Sequence, residues 1–481
     1  MLSPDFIHTE ASNGVPRRSL VLAGGGVRLA YQAGVLLALQ EEGLQFHHVD
    51  GTSGGIFNTA MLASGLEPYE MCERWRSLKV QHFMSLRPAK KYLKLASMMA
   101  FGDADGIRQK VFPHLGIALH KIKANSTVAA SFNVCNFSSK SIEAISHTEA
   151  TEDHLIAGVS LPIFMPAIKI GEDWYTDAVW IKDANLMEAV RRGAEEIWLV
   201  WAIGNTSSYL SDFFNQYVHM IEMSANGALL EEYAQIKALN ERIIQGDSPY
   251  GQRKPIVLHI IKPHFPLPLD PDLFLKKVDT NSLINCGYED AIQYLKQKKC
   301  EGVAYEAHST QMQTAPIAYT FRHTFEGKLL QNKVRTEARF APYFTLRESQ
   351  GKLMVDMVAS FYFAPWKREI STKENQARII KQSKASYLET SSVLFVQGKS
   401  YQLVATIQLS SVSHWWLGLE FKKVSLKLYD QQELLAEGCL RQSAKVRLAQ
   451  LFNHQLKKNG QGGTYWKEKY RMIKKLYTYE I

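Results

Sequence analysis

Along the first three hundred positions, two spacings of apolar residues alternate. Short Val-, Leu- and Ile-rich runs have the length and β-branched content of buried strands: "RSLVLA" at 18–23, "QFHHVD" at 45–50, "TVAASFNVCNF" at 127–137, "EEIWLVWAIG" at 195–204 and "PIVLHIIKP" at 255–263. Between them, "VRLAYQAGVLLALQEEG", "GIFNTAMLASG", "SANGALLEEYAQIKALNERIIQ" and "GYEDAIQYLKQKK" repeat apolar residues every three to four positions, the helical period. Strand, turn and helix occur twice within the first fifty residues of this region, which predicts a parallel sheet flanked by helices. The pattern changes near residue 305. "YEAHSTQMQTAPIAY" is polar and contains a proline, and beyond it runs such as "GKLMVDMVASFYFAPW" and "VLFVQGKSYQLVATIQL" alternate with the two-residue period of strands. The expected organisation is a tail at 1–17, an α/β domain at 18–305, a linker at 306–318 and a smaller β-rich domain at 319–481, drawn as a small sandwich. No internal repeat or low-complexity segment interrupts it.

A chain of 481 residues is long enough for two or three such cores. Hydrophobic content of 46% and charged content of 21% are those of an ordinary globular protein. The net charge of +9 favours an acidic partner, and it is unevenly placed: from Arg441 to the end, ten basic residues face two acidic ones. Five scattered cysteines without a C-x-x-C pair argue against a disulfide scaffold or structural zinc. The N-terminus lacks a signal-peptide pattern and no run of about eighteen apolar residues occurs, so the expected location is cytoplasmic, with peripheral membrane association. The sequon at Asn125 then has no glycosylation to report.

Two glycine clusters carry the candidate chemistry. Gly24-Gly25-Gly26 opens a helix, where backbone N–H groups make an anion site. A dinucleotide fingerprint fails because Leu29 stands where the third glycine belongs, and "GKS" at 398–400 is no phosphate loop because Val393 replaces its leading glycine. An oxyanion hole or a plain tight turn remains. Gly51-Thr52-Ser53-Gly54-Gly55 fits G-x-S-x-G between a strand and a helix, the pattern that holds a serine nucleophile on a sharp elbow. A serine nucleophile needs a base. His47 and His48 lie upstream on the strand, so a carboxylate among Asp173, Asp177 and Asp183 is the alternative.

Three stretches, "VLAGGGVRLAYQAGVLLALQEEG", "VDGTSGGIFNTAMLASG" and "AGVSLPIFMPAIKIGEDWYTDAV", together resemble the patatin-like phospholipase family in content and order, over about residues 18 to 300. That resemblance implies a three-layer α/β/α sandwich that cleaves acyl esters of phospholipids or neutral lipids with neither metal nor cofactor. It makes Ser53 the nucleophile and Asp177 the base of a Ser–Asp dyad. Gly24, Gly25 and Gly26 become the oxyanion hole, with Arg28 at the basic position after them, and Gly51 and Gly55 the glycines of the elbow. One departure stands out: Ala178 and Val179 replace the glycine and small residue that usually follow the aspartate. A Cβ at each position is expected to crowd the turn and tilt Asp177.

Residues 74–102 contain seven Lys or Arg and no acid, interleaved with apolar residues. The basic amphipathic pattern reads as a membrane-surface element or as a solvated helix with a core stripe. Its membrane-contact candidates are Phe83, Met84, Arg87, Lys90, Lys91 and Lys94. The aromatic, lysine-rich tail suits a lipid surface better than nucleic acid once the upstream chemistry wants a lipid. The function expected is a phospholipase A-like lipid acyl hydrolase. Its rivals are a catalytically inactive patatin-like lipid-binding or scaffold protein, and a hydrolase with a true triad built on His259 or His264.

Overall fold

The computed structural model describes residues 16–79, 102–267, 279–312, 317–349, 352–382, 385–409 and 423–442 apart from a few single positions, together with Phe6, Phe83, 85–86, 455–458 and Lys474. Cα packing divides the chain into two compact units, Met1–Phe274 with Asp290–Gln313, and Leu275–Glu289 with Thr314–Ile481.

The first unit is built on an eight-stranded mixed sheet. Its strands are β1 (Arg18–Leu22), β2 (His48–Thr52), β5 (Ala129–Asn136), β6 (Ser141–Ser146), β7 (Ile168–Ile170), β8 (Asp173–Asp177), β9 (Glu196–Val200) and β10 (Val257–Ile261); a separate ribbon pairs β3 (Ser85–Leu86) with β4 (Gly102–Asp103). Parallel ladders set β10, β9, β1, β2 and β5 side by side, and β6, β8 and β7 add an antiparallel edge. Crossovers between parallel strands require helices, which cover both faces of the sheet. In chain order the described α-helices are α1 (Ala30–Glu41), α2 (Gly55–Ala63), α3 (Pro68–Ser77), α4 (Phe112–Leu115), α5 (Leu119–Ala124), α6 (Glu152–Gly158), α7 (Leu186–Arg191), α8 (Phe213–Ile244) and α9 (Thr280–Gln297), the last divided between the two units after Glu289. Helix α1 is buried on every side from Ala30 to Leu39, as its nearly all-apolar sequence requires. On one sheet face, Val21, Ile197, Leu199 and Trp201 pack with Leu186 of α7 and with Ala225, Leu229 and Ile236 of α8. The result is an α/β sandwich.

The second unit is antiparallel. Strands β11 (Ile317–Arg322), β12 (Phe325–Gln331), β13 (Val334–Ser349), β14 (Lys352–Phe363), β15 (Glu369–Ser371), β16 (Lys373–Gln382), β17 (Ala385–Val396), β18 (Lys399–Leu409), β19 (Lys423–Asp430), β20 (Glu433–Arg441) and β21 (Gln455–Lys458) form one eleven-stranded sheet. The sandwich expected from the sequence is therefore corrected to a single sheet that curls almost into a barrel. Its two edges meet through Thr372, the only residue between β15 and β16, whose N–H and Oγ1 both donate to Ala359 O of β14 at 2.9 Å. Strand twist drives such closure when one face carries a continuous apolar stripe. Here that stripe is a cluster of Tyr319, Phe321, Phe325, Phe340, Phe344 and Phe361 with aliphatic residues from β16 to β20. The "GKS" at 398–400 follows a two-residue hairpin turn, Gln397 at φ +50° and Gly398 at φ +80°, with Lys399 paired to Val396. Strand β11 begins at Ile317, inside the stretch read as linker.

Candidate active site

Between β2 and α2 the chain reverses within two residues, Ser53 and Gly54. Ser53 sits at φ +51°, in the left-handed region that a residue with a side chain enters only under constraint. The constraint is close packing behind it. A Cβ on Gly55 would run into the carbonyl oxygen of Leu22, and one on Gly54 would lie 2.8 Å from Gly26 O. Ile56 N–H donates to Ser53 O and Phe57 N–H to Gly54 O, both at 3.0 Å, so the helix starts immediately. The Ser53 side chain is packed, with the residue only 8% exposed.

The register of β5 brings a carboxylate to this turn. Along one edge of β5, Asn133 pairs with Thr52, the end of β2. The next residue, Val134, pairs with Asp177, the end of antiparallel β8. Because β6 holds the opposite edge from Ser131 to Asn136, β2 and β8 share this edge and meet end to end. Ser53 Oγ donates to Asp177 Oδ2 at 2.6 Å, and Val179 N–H holds Asp177 Oδ1 at 2.9 Å. Burial lifts the Asp177 carboxyl to about 7, against the opposing pull of those two hydrogen bonds. With Ala178 and Val179 after it, Asp177 still makes both of these hydrogen bonds. Ala178 and Val179 lie buried in a single 3-10 turn, and neither needs a positive φ.

Around the pair, the glycine loop is anchored by side chains that sequence reasoning passed over. Gln32 Nε2 donates to Ala23 O at 2.5 Å, and Asn58 Nδ2 donates to Leu29 O at 3.1 Å. Under the elbow, Asn133 Nδ2 reaches Asp50 Oδ1, Gly51 O and Thr52 Oγ1, while Asn185 Nδ2 donates to Asn133 Oδ1 at 2.8 Å. The only sequence signal for this network was polar residues in otherwise apolar strands and helices. A Cβ on Gly24 would lie 2.8 Å from Ser53 Cβ, so the loop packs directly on the serine. Gly26 is at φ +59°. The N–H groups of Gly25, Gly26 and Gly54 have no acceptor among the described residues. Gly24 differs from the expectation of three open amides, because its N–H donates to Asp183 Oδ2 at 2.9 Å. The arrangement can present a hydroxyl, a neighbouring base and unpaired backbone donors to an acyl group.

Residues 20–190 match the model of the patatin-like phospholipase family. The patatin-like segment runs from β1 into α7 and holds the glycine loop, the elbow and Asp177; the family model does not extend to residue 300, and no family model covers the rest of the chain. Among solved structures, VipD from Legionella pneumophila is similar at 12% identity and a TM-score of 0.33, over 62% of this chain and 71% of that one. No curated protein matches.

Other sequence candidates fall elsewhere in or beyond this patatin-like segment. Arg28 Nε donates to Gly25 O at 2.8 Å, bracing the loop through a carbonyl. Phe83 is corrected: it is a core residue, stacked on Trp75 at 6.2 Å and edge-on to Phe57 at 5.4 Å. Arg74, within the basic stretch, is paired with Glu70 on α3. Met84, Arg87, Lys90, Lys91 and Lys94 lie outside the described residues, as does nearly all of the basic tail. His259 bonds Tyr294 Oη at 2.9 Å and stacks on Trp198, while His264 packs its ring on Phe265; the Ser53 hydroxyl bonds Asp177 instead of either. Among the described residues, no group of three or more His, Cys, Asp or Glu is placed to hold a metal ion, and no helix is long and apolar enough to cross a membrane.

Proposed function

We propose that the chain is a lipid acyl hydrolase of phospholipase A type, cleaving carboxylic esters through an acyl-enzyme on Ser53. The observation that carries this is the 2.6 Å hydrogen bond from a serine held at φ +51° to a fully buried aspartate. Asp177 takes the Ser53 proton as Oγ attacks the ester carbonyl. The N–H groups of Gly25, Gly26 and Gly54 stabilise the tetrahedral oxyanion, each such donor being worth about 3 kcal/mol in comparable hydrolases. The protonated aspartate returns its proton to the leaving alcohol, and water repeats the sequence on the ester of Ser53. The positive end of α2 favours the developing charge. The patatin-like match supports a lipid as substrate, and the basic segment at 87–94 with the C-terminal tail stays the proposed contact to an anionic lipid surface.

A fluorophosphonate probe is expected to label the wild type and not Ser53→Ala. Release of fatty acid from phosphatidylcholine or phosphatidylglycerol vesicles should be lost in parallel. Hydrolysis that survives Ser53→Ala removes the dyad, and a folded wild type that neither labels nor hydrolyses any acyl lipid favours the inactive scaffold.

A further inference from the structure

The loop after Asp177 returns a second carboxyl to the nucleophile. Asp183 is completely buried. Its Oδ2 accepts the Gly24 N–H at 2.9 Å, and its backbone carbonyl also faces that N–H, at 3.4 Å. Its Oδ1 has no hydrogen-bond partner among the described residues, an unusual state for a carboxyl oxygen shut away from water. A Cβ built on Gly24 would lie 3.1 Å from Asp183 Cγ and 2.8 Å from Ser53 Cβ, with Oδ1 nearer still. The unpartnered oxygen and the serine side chain therefore flank the same small space beside Gly24. Nothing in the proposed chemistry of Ser53 and Asp177 uses this group.

We propose that Asp183 works in the site as a neutral carboxylic acid, its Oδ2 fixing the Gly24 amide and its Oδ1 hydroxyl serving as a hydrogen-bond donor beside Ser53. The loop surrenders one amide to Asp183 and receives an O–H donor in its place. This inference rests on the acyl-hydrolase function proposed for Ser53. The surroundings favour the protonated form: burial and the nearby Asp177 carboxylate push the Asp183 carboxyl well above the usual carboxylate range, opposed by the Gly24 amide and Arg28. Arg28 is shared with Glu222, which His219 contacts at 3.3 Å. Lys182, next in the chain, is committed to Glu232 at 2.7 Å. The Asp177 carboxylate acts on Asp183 electrostatically, so ionised Asp177 favours the proton on Asp183.

Asp183→Asn preserves a neutral acceptor and a donor, whereas Asp183→Leu removes both while keeping the same branching. With the full-length protein and a soluble acyl ester, Asp183→Leu is expected to lower kcat by about 100-fold with KM little changed, the loss typical of one oxyanion donor. Asp183→Asn should keep most of the rate. The pH profile separates this role from mere packing: the wild type should lose activity at alkaline pH as Asp183 ionises, and Asp183→Asn should lack that decline while keeping the acid limb. Independently of activity, an infrared C=O band of a protonated carboxylic acid should be present in the wild type at neutral pH and diminish in Asp183→Asn. Profiles that superimpose, equal rates for the Leu and Asn variants, or an unchanged infrared band would each overturn the assignment. In those cases fluorophosphonate labelling of Ser53 still stands. A wild type that does not label overturns both.

Discussion

A serine in left-handed backbone next to a buried aspartate costs stability, and each group at the elbow can be tested by its charge. Asp177 must be ionised to accept a proton. Its carboxyl is lifted to about 7, so hydrolysis should fall as pH drops through about 7, well above the ordinary carboxylate range. Asp177→Asn should lower kcat by about 100- to 10,000-fold without that acid limb, measured on a soluble ester. Asp50, one residue before the elbow, is pushed to about 8 by burial, against hydrogen bonds from Ser131 and Asn133. Its folded value lies above its unfolded one. The stability it contributes is therefore complete in acid and lost as pH rises from about 4 towards 8. Asp50→Asn should flatten that loss in denaturant titrations at successive pH values; an equal slope in both proteins argues against a buried, proton-holding Asp50. Ser53 was legible in the sequence because an elbow is a local pattern. Asp177 was legible only through the order of three motifs, and Asp50, Asn133 and Asn185 stayed hidden because a buried polar residue is recognised by its partners, not by its neighbours in sequence.

Among the elements, glycine has opposite meanings in two helices. Gly55 opens α2 against the Leu22 carbonyl of β1, so Gly55→Ala must push helix and strand apart and is expected to destabilise the first unit by about 1–3 kcal/mol or more. Gly227 lies on an exposed face of α8, with nothing within 4 Å of an added Cβ. Gly227→Ala should stabilise by about 0.5–1 kcal/mol through helix propensity. Thermal melts of the two variants check both signs, and a stabilised Gly55→Ala would contradict the packing at the elbow. Periodicity located α1, α2 and the β5, β9 and β10 strands well, since each is long or strongly apolar, and found α8 from Ser224 onward but not its first eleven residues. It also assigned Phe83 to a surface. An aromatic in a basic stretch gives no sign that Phe57 and Trp75 will enclose it. Alternating strands specify one apolar face, and a sandwich and a curled single sheet both bury such a face, so the sequence pattern does not separate them.

For the molecule as a whole, the division into units cuts through α9. Its first turns belong with the curled sheet, where Asn281 donates to Ser360 Oγ, Asn285 accepts from Ser371 Oγ, and Glu289 accepts from Asn375, at 2.9 to 3.1 Å. Removing residues 314–481 takes these partners away from the helix. A chain ending at 313 is therefore expected to melt earlier than the full protein, read by circular dichroism; an unchanged melt would mean that α9 holds without them. By itself, the sequence determined the most strongly periodic strands and helices, the change of pattern near residue 305, and the strained serine turn, because each depends on residues within about a dozen positions of one another. The tertiary structure alone decided that β2 and β8 end on consecutive residues of β5, that Asp183 takes the Gly24 amide, and that the second sheet closes through Thr372. Those outcomes depend on strand register and on desolvation by distant parts of the chain, and neither is written in any local stretch.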